Sequence, residues 1–288
     1  MKEKKVNYLL CLSVLSVFAF GNCMGAIDGA LSKIADALHV EHTIALYAGS
    51  IPALTSMVSS LILGFVAGKK LPYKLTAAVC AATMIVTGTI PFLAQSFGAI
   101  LLSRCFFGLG LGGMMSLQNP IATKLIPAEK RSSILGLGTF VAFTFQCVLQ
   151  LVGGILADVS WNLVFFTHLI LAIPFVVLVI FLPRIEPESD VGRQGEKSKL
   201  PVSAVLMCIM VGVVTLNLAP LLFGSAFYVA ELSDSATVAA IIAMLFSIGC
   251  MVGGLIYPVL YKLFKGKCFT VFLLIGALGL LISATARS

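Results

Sequence analysis

Residues 99–120, AILLSRCFFGLGLGGMMSLQNP, hold one arginine in an otherwise uncharged run, with glycine at 108, 110, 112 and 113. Two readings compete for this stretch. A glycine-rich loop that cradles phosphate needs a strand before it and a βαβ unit around it. A membrane-spanning helix needs about 20 apolar residues, and small side chains let its neighbours approach closely. The stretch has the length and apolarity of the second, so Gly108, Gly110 and Gly112 read as a helix-packing face. Arg104 then lies inside the bilayer, where an ionisable side chain is costly and faces the bundle interior or a wet cavity beside a partner.

Comparable runs recur along the chain, roughly at 7–31, 44–67, 75–95, 132–157, 162–183, 202–230, 237–261 and 268–286. Of 288 residues, 59% are hydrophobic and 11% charged, and the mean hydropathy is +1.08, too apolar for a domain with a water-facing surface. The expected class is an all-α polytopic membrane protein. Met1 to Lys5 and the apolar run behind them imitate a secretory signal, but the run continues to Leu31, beyond an h-region, so it is retained as the first helix. The cysteines lie in or at the edge of apolar spans with no CxxC spacing, which supports neither zinc nor redox chemistry; no metal and no cofactor is expected.

A net charge of +7 would suggest nucleic acid in a soluble protein. Here, of the 19 Lys and Arg, all except Lys33, Arg104 and Arg287 fall in every second break between spans. That alternation is the positive-inside pattern, and it puts the N-terminus in the cytoplasm of a bacterial cell whose cytoplasmic (inner) membrane holds the chain. The partners expected are the lipid bilayer and a small molecule, with no nucleic acid.

Residues 184–200, RIEPESDVGRQGEKSKL, carry both signs of charge with Pro and Gly, as a solvated linker does. The domains expected are 1–183, an N-terminal bundle of six helices; 184–200, a cytoplasmic linker; and 201–288, helices seven to nine of a partial C-terminal bundle. An internal repeat supports this division. Asn22 aligns with Asn217, Ile34-Ala35-Asp36 with Val229-Ala230-Glu231, Thr43 with Thr237, and Met57-Val58 with Met251-Val252. Each copy then enters a cationic turn.

Arg104-Cys105-Phe106-Phe107-Gly108-Leu109-Gly110 resembles the RxxxGxG pattern on the fourth helix of major facilitator superfamily transporters. Gly64 to Lys74 is similar to the family's cytoplasmic gating loop, with Gly64, Lys69, Lys70 and Lys74 as the matching positions; Gly68 stands where the family has an acid and Leu71 where it has a glycine. On the fifth helix, Gly153-Gly154 keeps the closing glycine pair of the antiporter pattern without its Gly-Pro. Pro127 to Arg131 and Trp161 look like bacterial drug-efflux members. The resemblance covers the whole chain, but the family has twelve helices, so a C-terminally truncated form is expected, and an inactive one.

The resemblance implies a proton-coupled secondary transporter moving a small organic solute or drug-like compound by alternating access, monomeric at full length. It is not an enzyme: no acid/base or metal cluster is visible, and neither is the pore loop a channel would need, although an integral-membrane enzyme or a channel or receptor is the alternative class. Asp28 and Arg104 lie at matching depths and form the expected coupling pair. Asn22, Gln118, Asn119, Gln146, Gln150 and Asn217 are the expected cavity-lining residues, Gln146 and Gln150 sharing one helical face. His168 is expected to be structural, and Lys33 to reach water at the end of its helix without a role.

Overall fold

The first apolar span breaks in the middle, because Gly21, Asn22, Gly25 and Gly29 are all poor helix formers. In the computed structural model, which describes residues 8–68, 71–93, 96–185 and 235–267 with isolated residues in 202–213 and 270–279, helix α1 (Tyr8–Phe18) ends at this cluster. A 3-10 segment, Cys23–Ala30, follows and leads into α2 (Leu31–Ala37). The two pieces meet at 47° and together form one bent span. A 3-10 stretch this long is uncommon and marks a point of strain or movement. The span therefore runs past the expected end at Leu31, drawing Lys33 and Asp36 into helix.

The other spans are straighter: α3 (His42–Val66), α4 (Tyr73–Thr89) with a 3-10 end at Ile90–Leu93, α5 (Phe97–Leu125) and α6 (Ala128–Val159). Next comes a 3-10 segment, Trp161–Leu171, running into α7 (Ala172–Phe181). Past the linker, α8 (Ala236–Phe264) is the one fully described helix. Six of these helices are long and apolar enough to cross a membrane, or seven with the bent span, and among the described residues there is no β-strand.

The fourth span extends beyond its expected end at Pro120. A proline lacks one N–H, but the groups after it rejoin the ladder, and Ile126 N–H closes the helix on Ala122 O at 2.9 Å. The fifth starts a turn earlier than expected, at Ala128, with Glu129, Lys130 and Arg131 on its exposed first turn. Most of the expected spans at 202–230 and 268–286 and most of the linker lie outside the described residues.

Helix α5 is the centre of the molecule, and its glycines explain why. A Cβ at Gly108 would strike Pro52 O and Thr55 Oγ1, and one at Gly112 would strike Ser56 O, so α3 is packed backbone to backbone against α5. On the other side, Gly110 would meet Cys80 O of α4 at 2.7 Å. Ser59 Oγ donates to Leu109 O at 2.6 Å and Ser103 Oγ to Thr87 O, which stitches both contacts. Large apolar residues such as Leu54, Leu61, Phe65, Val79 and Leu102 point outward, as they do in a protein whose solvent is lipid.

Candidate functional site: a polar cavity and the groups that close it

Arg104 is fully buried, and two of its three nitrogens donate to backbone carbonyls. Nε donates to Ala48 O at 3.1 Å and Nη2 to Met24 O at 2.8 Å, while the guanidinium lies 4.6 Å from the Phe107 ring centroid. Its third partner is His168. The Nδ1–H of that imidazole donates to Phe165 O at 3.1 Å, which leaves Nε2 as an acceptor facing Arg104 Nη1 at 3.5 Å. Among the described residues, no ion pair joins Arg104 to Asp28. The arginine instead holds the broken first span through the carbonyl of Met24, one turn before Asp28.

Asp28 opens into a cavity of about 330 Å³ between the 3-10 segment of the first span, α3, α5, α6 and α8. Asn22, Gln146 and Gln150 line it with Asp28, and Met24, Leu111, Met115, Phe143 and Phe246 supply apolar walls. Asp28 Oδ1 is buried without a hydrogen-bond partner. A second cavity of about 230 Å³ shares Gly21, Asn22 and Met115 with the first and continues past Gln118 and Asn119. Gln118 Nε2 is likewise buried without an acceptor. Five expected lining residues, Asn22, Gln118, Asn119, Gln146 and Gln150, thus line one or both of two adjoining cavities; Arg104 lines neither, and Asn217 lies outside the described residues.

At the end of the bundle that carries Lys33, the two parts of the chain are clasped. Asp158, at the last turn of α6, accepts from the N–H groups of Ala236 at 2.7 Å and Thr237 at 3.0 Å and from the hydroxyl of Ser235 at 2.9 Å. Thr237 Oγ1 donates to it as well, and Lys33 Nζ lies 2.9 Å from its other face. A carboxylate from one helix thus caps the N-terminus of another, where unpaired N–H groups and the helix dipole favour negative charge. Next to the clasp, Gly29 and Gly154 both press on Ala240, and a Cβ at Gly154 would also meet Ala236 O at 2.9 Å. Gly153 faces Ala26 O and Val164 of its own bundle.

At the opposite end, Gly68 adopts φ 77°, and its N–H bonds Leu71 O at 2.8 Å in a tight turn. That left-handed backbone favours glycine over the acid the family pattern carries there. Gly64 has open space beside it, and Lys74 sits in the first turn of α4. Lys69 and Lys70 lie outside the described residues.

Sequence reading gave Lys33 no role, took His168 as structural without naming its partner, and did not single out Ser247. A signal for the clasp existed in the repeat, which aligns Thr237 with Thr43: each stands in the first turn of its helix, where Thr43 Oγ1 donates to Glu41 Oε1 at 2.7 Å. Nothing in the sequence pairs His168 with Arg104, since they lie on different spans and the contact depends on the packing of α4 against the sixth.

A bundle of long apolar helices around a cavity that holds Asp28 and two glutamines, clasped at one end by a cross-helix cap, defines a multi-pass membrane protein. The chain belongs to the Major Facilitator Superfamily, which it matches over residues 12–287; the family is one of transporters, not enzymes. It is 26% identical over 187 residues to an MFS efflux transporter of Emericella nidulans, covering 65% of this chain and 34% of that protein. It is 30% identical over 193 residues to an MFS-type efflux pump of Arthroderma benhamiae, covering 66% of this chain and 35% of the relative. The chain therefore spans about a third of the length of these curated relatives. Among solved structures, the nucleoside transporter NupG aligns with TM-score 0.58 at 16% identity, over 91% of this chain and 70% of that one, a likeness of fold.

Proposed function

We propose that the chain works as a secondary transporter that carries a small organic solute or drug-like compound by alternating access, with export favoured and protons as the coupling ion. The observation that carries this reading is the cavity itself. It is walled by helices from before the linker and by α8 after it, Asp28, Gln146 and Gln150 line it, and the Asp158 clasp joins α6 and α8, two of its walls. Parallel helical bundles rocking about a midplane site are the way such folds move cargo.

The alternation of Lys and Arg supports an N-terminus inside a bacterial cytoplasmic membrane, so the clasped end faces outward. Domains at 1–183 and 201–288 joined by 184–200 follow from the same plan, and the protein acts as a monomer. Asp28 is the proton-binding group of the cycle, and Arg104 acts on it by fixing the bend of the first span and by its charge.

Proteoliposome flux of the full-length protein tests the reading. A fluorescent drug-like solute should move against its gradient when a pH gradient is imposed, and collapse of that gradient by nigericin should stop it. Equal flux with and without the gradient would sink proton coupling, and no flux under either condition would sink transport.

A further inference from the structure

Gly25 lies in the 3-10 segment of the first span, and three polar groups converge on the gap left by its missing side chain. A Cβ there would stand 2.7 Å from Asp28 Oδ2, 3.0 Å from Gln150 Nε2 and 3.2 Å from Gln146 Nε2. One carboxylate oxygen and two amide nitrogens thus crowd together beside Gly25 on the wall of the central cavity. The amide of Gln150 is oriented from the second half of the chain. Ser247 Oγ on α8 donates to Gln150 Oε1 at 3.1 Å, and both residues are buried. With its oxygen held by Ser247, Gln150 can turn only its NH₂ toward Gly25.

The other carboxylate oxygen, Asp28 Oδ1, is buried away from the cavity without a donor, so Oδ2 is the oxygen that stands beside the two amides. The cavity wall at Gly25 therefore offers two N–H donors beside one acceptor, Asp28 Oδ2. A carboxylate head would be repelled by Asp28. A quaternary ammonium has no N–H to give and would face two amide N–H dipoles with their positive ends toward it. A carboxamide or lactam fits both sides: its N–H donates to Asp28 and its carbonyl accepts from Gln146 and Gln150. The apolar walls of Met24, Leu111, Met115, Phe143 and Phe246 would hold the rest of the molecule.

We propose that the cavity selects an amphipathic substrate whose polar end is an uncharged carboxamide or lactam seated over Gly25, with Ser247 as the positioning residue that aims Gln150 at it. This deepens the transport reading and rests on it.

Equilibrium binding of two matched probes to this chain in lipid nanodiscs tests the proposal: tritiated 4-phenylbutyramide and phenylbutyl-trimethylammonium. The carboxamide should bind at least about tenfold more tightly, as expected where a site built to hydrogen-bond a group rejects the analogue that lacks it. Gly25→Ala should abolish that preference by occupying the gap. Its new methyl meets only the ends of flexible side chains, so the variant should melt close to the parent. Ser247→Ala should weaken carboxamide binding several-fold and leave the ammonium probe unchanged. Ammonium binding as tight as the carboxamide's, carboxamide affinity unchanged by Gly25→Ala, or no binding of either probe up to its solubility would each overturn the proposal. Carboxamide-selective binding without flux in proteoliposomes would uphold the site and sink the transport reading. Flux of the ammonium probe with no carboxamide preference would do the reverse.

Discussion

Arg104 and Asp28 look alike as buried charges, yet they are supported differently. The arginine donates to Met24 O and Ala48 O and is backed by His168, so Arg104→Gln leaves carbonyls and an imidazole short of partners. Each such loss costs about 1–3 kcal/mol, and the variant should show a clearly reduced folded yield by size-exclusion chromatography. Asp28 Oδ1 bonds nothing in the protein, so Asp28→Asn should keep the parent's yield and melting temperature while removing the pH dependence of flux. Equal loss of folded protein in both variants would show that the two charges are a structural pair after all. His168→Gln retains an acceptor for Arg104 and should behave like the parent, whereas His168→Leu should share the defect of Arg104→Gln. At this scale the sequence revealed residue types and depths: a lone arginine and a lone aspartate in apolar runs had to be partnered or cavity-facing. It did not reveal that the 3-10 segment brings Met24 O to the guanidinium, because that depends on a 47° bend which glycine content suggests and only packing decides.

The glycines of α5 show what an element needs from its neighbours. Gly112→Leu drives a side chain into the backbone of Ser56, and overpacking of this kind costs about 1–3 kcal/mol or more. A melting temperature in detergent well below the parent's is expected, with Gly64→Ala as a neutral control because nothing lies near it. The spans themselves were legible, since lipid demands long apolar helices and charged breaks separate them. Their ends were less so: Pro120 and the charges at 129–131 punctuate a soluble helix, but here both fall within one. The clasp is an element-scale device as well. Asp158 and Lys33 keep side-chain exposures of 29% and 24%, so their ion pair alone contributes at most about 1 kcal/mol. The cap on Ala236 and Thr237 adds to it, and Asp158→Ala should favour separation of α6 from the start of α8 by about 1–2 kcal/mol, a factor of roughly 5–30 in population. Spin labels at positions 40 and 238 should report a larger share of long distances, and an unchanged distribution would show that the clasp does not hold the closed end.

For the whole molecule, the arrangement of charge decides orientation. In a background without native cysteines, a cysteine at Asp36 should react with an impermeant thiol reagent added outside intact cells, and one at Lys265 should not; the reverse would invert the bundle in the membrane. Helix α8 meets the first bundle mainly through its first turns: Ala236, Ala239, Ala240 and Ser247 are buried, whereas Leu255, Leu263 and Phe264 are exposed. Ala240 is gripped between Gly29 and Gly154, a bearing made of the smallest side chains on both sides. Such a contact has no interlocking knobs to resist rotation, so α8 acts as a lever with its fulcrum beside the clasp. From Ala240 to Phe264 the arm is about 36 Å at 1.5 Å per residue, so a tilt of roughly 10° sweeps its far end through about 6 Å. Rotation that scarcely disturbs the bearing thus becomes a displacement as wide as a small molecule at the other end, and enlarging Ala240 would stiffen that movement from the opposite end of the helix.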